Sequence, residues 1–236
     1  PMTLATVAAE PPRLYALVPC AGVGERAGAS LPKQYHLVAG HSVVAHTLMA
    51  LSQVSRLSAV LVLLSPQDET FEHHAPLHDG WVSRRGGATR AQTVANGLHE
   101  LQLRGARADD WVLVHDAARC MVRPAWVDAL IDACQFDAVG GLLALPLSDT
   151  LKQERGGRVD HTIDRRGKWA AQTPQMFRLG LLQQALAEAG DAVTDEASAL
   201  EALGHAPQLV AGPLENLKVT YQHDFELAER LLRTRA

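Results

Sequence analysis

Chemistry in this chain gathers at two glycine-bearing loops and one strand-end carboxylate. In the stretch Leu17–Tyr35, LVPCAGVGERAGASLPKQY, an apolar run opening at Leu14 breaks into Gly22, Gly24 and Gly28, with Arg26 and Lys33 set among and after them. Glycines let backbone N–H groups approach an anion, and nearby cations supply the charge that a polyphosphate demands. Pro32 fixes the backbone ahead of Lys33 and gives that long side chain a defined exit. The segment lacks the third glycine of a dinucleotide-binding turn and the Gly-Lys-Ser/Thr ending of a P-loop, so it is a different kind of phosphate cradle, or glycines serving turn geometry alone. Asp116, in Val114-His115-Asp116-Ala117-Ala118-Arg119, ends another apolar run. A carboxylate there must cap, pair with a cation such as Arg119, or bind a hard metal such as Mg²⁺.

The elements that position these residues follow from hydrophobic pattern. Leu14–Val18, Ala59–Leu64, Trp81-Val82, Trp111–Val114 and Val139–Leu145 read as strands, and Gln208–Val210 and Leu217–Val219 as short ones. Helices are expected over His41–Val54 with Ser42 as cap, Thr93–Leu103, Pro124–Cys134, Arg178–Glu188, Asp195–Leu203 with Thr194 at its cap, and His223–Thr234. Strands alternating with helices predict a mostly parallel sheet whose ligands sit at the carboxyl ends of its strands. The glycine loop, the Gly86-Gly87 loop and Asp116 all fall at that edge. From Pro146 to Gln175 polar and basic residues dominate, and the alternating segments around Gly156-Gly157 predict a projecting hairpin.

The motif P-x-A-G-x-G-x-R followed by P-K-Q, here Pro19, Ala21, Gly22, Gly24, Arg26, Pro32, Lys33 and Gln34, resembles the signature loop of sugar-nucleotide and alditol cytidylyltransferases. With the later motifs the chain is most similar, from about Leu14 to its last helix, to the 2-C-methyl-D-erythritol 4-phosphate cytidylyltransferase family. That resemblance implies an α/β fold, a Rossmann-like three-layer nucleotidyltransferase domain over residues 1–236, with 146–175 a projecting β-arm that embraces a second subunit. It implies transfer of CMP from CTP to methylerythritol phosphate with release of pyrophosphate, in isoprenoid precursor synthesis. Arg26 and Lys33 match the catalytic cations, and Asp116 the Mg²⁺ ligand. Pro19, Cys20, Ala21, Gly22, Gly24, Gly87, Ala88, Thr93, Ala117 and Arg119 match nucleotide-binding positions. Thr150, Arg165, Thr194 and Lys218 match positions that hold the second substrate, Thr150 and Arg165 reaching the neighbouring subunit's site from the arm. The chain departs from the family at Cys120, where proline is usual, at Ala88, where an acid is frequent, and at Thr93, which keeps a hydroxyl in place of serine.

Composition sets the outer bounds. Of 236 residues, 47% are hydrophobic and 20% charged, a globular balance that argues against disorder. A net charge of −4 argues against general affinity for nucleic acid or an anionic membrane, so an anionic substrate must meet a local cluster of cations. Three cysteines, with no C-x-x-C pair, read as reduced thiols. No apolar run approaches the ~20 residues needed to cross a bilayer, and the opening PMTLATVAAEPP carries no secretory pattern; a cytoplasmic protein is expected. Competing readings are a ribitol 5-phosphate cytidylyltransferase, whose nucleotide half would look alike, a dinucleotide-binding oxidoreductase, disfavoured by the missing glycine, and a non-catalytic dimeric binding protein.

Overall fold

The computed structural model describes residues 10–22, 31–190 and 193–235. Its frame is a seven-stranded sheet. In chain order the strands of that sheet and the helices between them are β1 (Leu14–Cys20), α1 (Val43–Ser52), β4 (Ala59–Leu64), α2 (Phe71–His74), β5 (Trp81–Ser83), α3 (Arg90–Leu103), β6 (Trp111–Val114), α4 (Pro124–Cys134), β7 (Gly140–Pro146), β10 (Trp169–Arg178), α5 (Leu179–Ala189), α6 (Glu196–Ala202), β11 (Gln208–Ala211) and α7 (Gln222–Arg233). A small ribbon, β2 (Leu37–Val38) with β3 (His41–Ser42), and a hairpin, β8 (Leu151–Arg155) with β9 (Arg158–Ile163), stand outside it. The sheet order is β11-β7-β10-β6-β1-β4-β5, and every pairing is parallel except those of β10 with β6 and β7.

The strands are apolar on both faces because helices cover both. Along β1, Ala16 and Val18 face the layer of α1 and α4, with Val44, Leu48, Leu51, Leu130 and Ile131. Tyr15 and Leu17 face the opposite layer of α3, α5 and α6, with Val94, Leu98, Leu182 and Leu200. The period-two alternation of a strand thus splits one continuous hydrophobic run between two cores, each fully buried leucine contributing about 1.5–3 kcal/mol. Close approach of α3 to the sheet depends on Gly97, where a Cβ would meet Leu17 and stand 2.9 Å from Leu63 Cδ2.

Ser42 caps α1 as the sequence indicates, its side chain accepting from Ala45 N at 3.1 Å. Three expectations are corrected. Residues 146–175 are a hairpin only in part. β8 and β9 project, with both tip glycines, Gly156 and Gly157, at positive φ as a tight two-residue turn demands, but Trp169–Arg178 returns as an antiparallel strand in the middle of the sheet. Its Gln172, Thr173 and Gln175 are buried polar residues with internal partners, which gave the segment its surface-like composition. Leu217–Val219 is not a strand: it crosses the carboxyl edge of the sheet and touches it through Val219 N to Ala118 O at 2.9 Å. The cap of α6 is Asp195 rather than Thr194, with Asp195 and Ser198 forming a reciprocal capping box.

Candidate active site

A cavity of about 660 Å³ opens at the carboxyl ends of β1 and β6, walled by Pro19–Gly22, Lys33-Gln34, Gly87–Arg90, Thr93, Asp116–Ala118 and Lys218–Thr220. Each wall has its own anchor. The residues after Pro32 form a 3₁₀ turn, Lys33–Tyr35. Buried Tyr35 donates to the Asp68 carboxylate, whose other oxygen accepts from Thr70 N and Phe71 N at 3.0 Å. Gln34 reaches back to Gly22 O at 2.9 Å and Cys20 O at 3.5 Å, stitching the end of β1 to the lysine turn. Lys33 Nζ donates to Thr220 O at 2.7 Å, which aims it along the cavity wall.

The second glycine loop is shaped by the start of α3. Thr89 caps the helix, Gln92 Oε1 accepts from Ala88 N at 3.1 Å, and Thr93 Oγ1 accepts from Gly87 N at 3.0 Å. Gly86 N donates to Leu64 O at 2.8 Å, and a Cβ there would collide with the same carbonyl at 2.5 Å, so only glycine fits. The Thr93 hydroxyl is thus spent on holding the loop that lines the cavity.

Asp116 is the electrostatic centre, with its side chain 11% exposed. Arg90 Nε donates to its Oδ1 at 3.0 Å, while Lys218 Nζ stands 3.1 Å and Arg119 Nε 3.9 Å from Oδ2. Burial pushes the carboxyl up, but Arg90, Lys218 and Arg119 overcome it and hold Asp116 well below the usual carboxylate range. Arg90 is shared with Glu196, which is fully buried and accepts from Nη1 at 2.7 Å and Nη2 at 3.1 Å.

The main chain of Asp116 is held from beneath. Its N–H donates to Thr173 Oγ1 at 3.0 Å, and that hydroxyl lies 3.1 Å from His115 Nδ1. His115 Nε2 lies 3.2 Å from Arg119 O, and a carbonyl only accepts, so Nε2 carries the proton and Nδ1 accepts from Thr173. Burial lowers the His115 imidazole from 6.5 to about 4. Between these values the unfolded chain binds a proton that the folded chain refuses, so stability is full above 6.5 and falls as the pH drops toward 4. Urea unfolding across this window is expected to show that loss, with a shallower slope in His115→Gln; equal slopes in both proteins would count against it.

Of the residues singled out from sequence, Pro19, Cys20, Ala21, Gly22, Lys33, Gly87, Ala88, Thr93, Asp116, Ala117 and Lys218 line this one cavity. Gly24 and Arg26 lie outside the described residues. Arg119 lies beside Asp116 and donates to Asn216 O at 2.6 Å and Ala171 O at 3.3 Å. Thr194 is exposed just before α6. Thr150 and Arg165 are exposed at the base of the hairpin, Arg165 Nη1 donating to Leu147 O at 3.0 Å; neither lines the cavity. Sequence reasoning missed Arg90 and Glu196 as a buried pair, because nothing local tells a buried acid at a helix start from a solvated one. Among the described residues no group of three His, Cys, Asp or Glu side chains gathers to hold a metal. Asp116 is the one carboxylate among the described residues that line the cavity, which fits a Mg²⁺ that takes its remaining ligands from phosphates and water.

Comparison with known proteins agrees with this geometry. The family model described as 2-C-methyl-D-erythritol 4-phosphate cytidylyltransferase matches residues 14–234. The chain is 57% identical over 227 residues to the bifunctional enzyme IspD/IspF of Albidiferax ferrireducens, with 95% of this chain covered and 54% of that protein, so it spans about half of that relative. It is 52% identical over 229 residues to the 2-C-methyl-D-erythritol 4-phosphate cytidylyltransferase of Paraburkholderia phymatum, covering 93% of this chain and 96% of the relative. Among solved structures, a 4-diphosphocytidyl-2C-methyl-D-erythritol synthase superposes with a TM-score of 0.85 at 39% identity, covering 95% of this chain and all of the other. The Francisella tularensis 2-C-methyl-D-erythritol 4-phosphate cytidylyltransferase does so at 0.79 and 33%, covering 93% and 99%. The chain belongs to the 2-C-methyl-D-erythritol 4-phosphate cytidylyltransferase family, nucleotidyltransferases of isoprenoid biosynthesis that draw their cytidylyl group from CTP.

Proposed function

We propose that the cavity transfers CMP from CTP to 2-C-methyl-D-erythritol 4-phosphate, giving 4-diphosphocytidyl-2-C-methyl-D-erythritol and pyrophosphate. The observation that carries this reading is that Lys33, Asp116, Lys218 and the Gly87–Arg90 loop line a single cavity. Fixed backbone groups of that loop, with Ala21, match the edge of cytosine. The end of β1 and Lys33, joined by Arg26, meet the triphosphate. Bound at Asp116, Mg²⁺ would supply charge neutralisation between the phosphates. Lys218 and Thr194 hold the incoming phosphate, and Arg119 serves the nucleotide. Its oxygen attacks the α-phosphorus in line, the new P–O bond forms as the bond to the bridging oxygen breaks, and pyrophosphate leaves with that electron pair. The nucleophile is already ionised, so the protein supplies position and positive charge rather than a base. The reaction is tested by pyrophosphate release from CTP and Mg²⁺ with methylerythritol phosphate, run beside ribitol 5-phosphate, UTP and ATP. Release confined to the first pair supports the reading, and release with ribitol 5-phosphate alone moves the acceptor.

The dimer is part of the proposal. The β8–β9 hairpin exposes Val159, Thr150 and Arg165 stand exposed at its base outside their own cavity, and a two-stranded hairpin is at best marginally stable alone. A homodimer in which each hairpin completes the partner's second-substrate pocket uses all three features, and its mass is twice the 25.4 kDa of the chain. Arg165→Ala and Lys33→Ala are each expected to be nearly inactive. Mixing them through unfolding and refolding should restore about a quarter of wild-type activity, because half the dimers are mixed and each mixed dimer has one intact site. No recovery despite mixed dimers would place Arg165 outside the partner's site. No described helix is long and apolar enough to cross a membrane, and a cytoplasmic location is proposed with the rest.

A further inference from the structure

We infer that Glu196, acting through Arg90, is a positioning residue for Asp116, and that one ion network therefore joins the pyrimidine-side loop, the metal-side carboxylate and the segment that begins with Thr194. This rests on the reading of Asp116 as the carboxylate that meets the metal-bearing nucleotide. Glu196 is 1% exposed, and a buried carboxylate is costly unless a cation answers it. It is not needed to start its helix, since Asp195 already caps α6. Both Glu196 oxygens are used on the two Nη groups of Arg90. A guanidinium is a planar fork of five donors, so holding it at two points fixes the direction of the third edge. That edge is Nε, and it reaches Asp116 Oδ1 at 3.0 Å.

A pair that served only to hold the fold would be complete with Glu196 and Arg90 alone. Here the remaining donor is spent on a side chain in the cavity wall. Asp116 is thus left with Oδ1 pinned by Arg90 and Oδ2 toward Lys218, a half-exposed side chain free to turn toward an arriving phosphate. The other end of the network is also locked. Gln175 on β10 accepts from Ala197 N at 2.8 Å and donates to Asp195 Oδ2 at 2.9 Å, so α6 presents Glu196 from a fixed position. Arg90 begins α3, the helix that shapes the Gly87–Thr93 loop.

The test is a double-mutant cycle on the dissociation constant of CTP, measured by calorimetry with excess Mg²⁺. Glu196→Gln keeps the shape but gives Arg90 one oxygen in place of two, and is expected to weaken CTP by about tenfold. Asp116→Asn should weaken it by at least as much. The double variant should bind within about twofold of Asp116→Asn alone, because Glu196 acts on the nucleotide through the Asp116 charge, which asparagine lacks. Additive losses would overturn the inference. An unchanged dissociation constant in Asp116→Asn would overturn the reading beneath it, an outcome visible in the single variant. If Glu196→Gln does not fold, Arg90→Lys takes its place: a single ammonium cannot bridge two carboxylates in fixed directions, and the same non-additivity with Asp116→Asn is required. The conservative Glu196→Asp should recover part of the affinity, with KM for CTP moving more than kcat across the series.

Discussion

Lys33→Ala lowers kcat for pyrophosphate release at least about 10²-fold, the order associated with deleting one preorganised donor aimed at developing charge. Lys33 leaves the 3₁₀ turn behind Pro32 and is held against the Thr220 carbonyl at 2.7 Å. The turn itself is tied down by Tyr35 on Asp68 and by Gln34 on Gly22 and Cys20. A long flexible side chain fixed at base and tip pays its ordering cost before substrate arrives. The loss should therefore fall on kcat, with Lys33→Arg recovering little because a planar fork does not replace a point charge at the same reach. Because Thr220 is the one partner bonded to its ammonium among the described residues, the melting temperature of Lys33→Ala should stay close to wild type. An unchanged kcat would remove Lys33 from the reaction.

Asp116 should show the second large effect, and the two substitutions there should separate chemistry from stability. Asp116→Asn keeps the shape and the main-chain bond to Thr173 but removes the charge that answers Arg90, Lys218 and Arg119. Activity is expected to fall by about 10²- to 10³-fold, as when a principal electrostatic contributor is lost. Asp116→Ala in addition leaves Arg90 Nε and the Lys218 ammonium without the acceptor that Asp116 gave them, a loss of about 3–5 kcal/mol for breaking a buried ion pair from one side. Thermal unfolding beside the activity assay checks both. Equal stability in the two variants would mean that solvent already answers these cations.

Where apolar runs were continuous, the sequence was easily read. β1, β4 and β6 have no polar residue to hide them, and the strand ends that follow carry the glycine loop and Asp116. β10 escaped because its centre, Gln172-Thr173-Pro174-Gln175, looks like surface. It is interior, and each polar group there has a partner on a distant segment: Pro213, His115, Asp195 and Asn216. Composition along the chain does not register partners that only the fold supplies. The same holds for Arg90 and Glu196, 106 residues apart and in contact. Leu217–Val219 alternates as a strand would, yet it pairs with no strand among the described residues, and its alternation instead buries Val219 while Lys218 lines the cavity.

The place of β10 has a consequence for the order in which the molecule is built. The first 114 residues already contain β6, β1, β4 and β5, neighbours in the sheet and parallel throughout. A chain emerging from the ribosome carries all four of these strands before the rest of the sheet is made. Asp116 follows two residues later, but Thr173, which supports its main chain, and Glu196, which holds Arg90, have yet to be made. Insertion of β10 between β6 and β7 therefore joins the second half of the sheet to the first and, in the same step, sets the carboxylate in place. A half-made chain holds the loops without the geometry, and nucleotide handling becomes a property of the finished molecule.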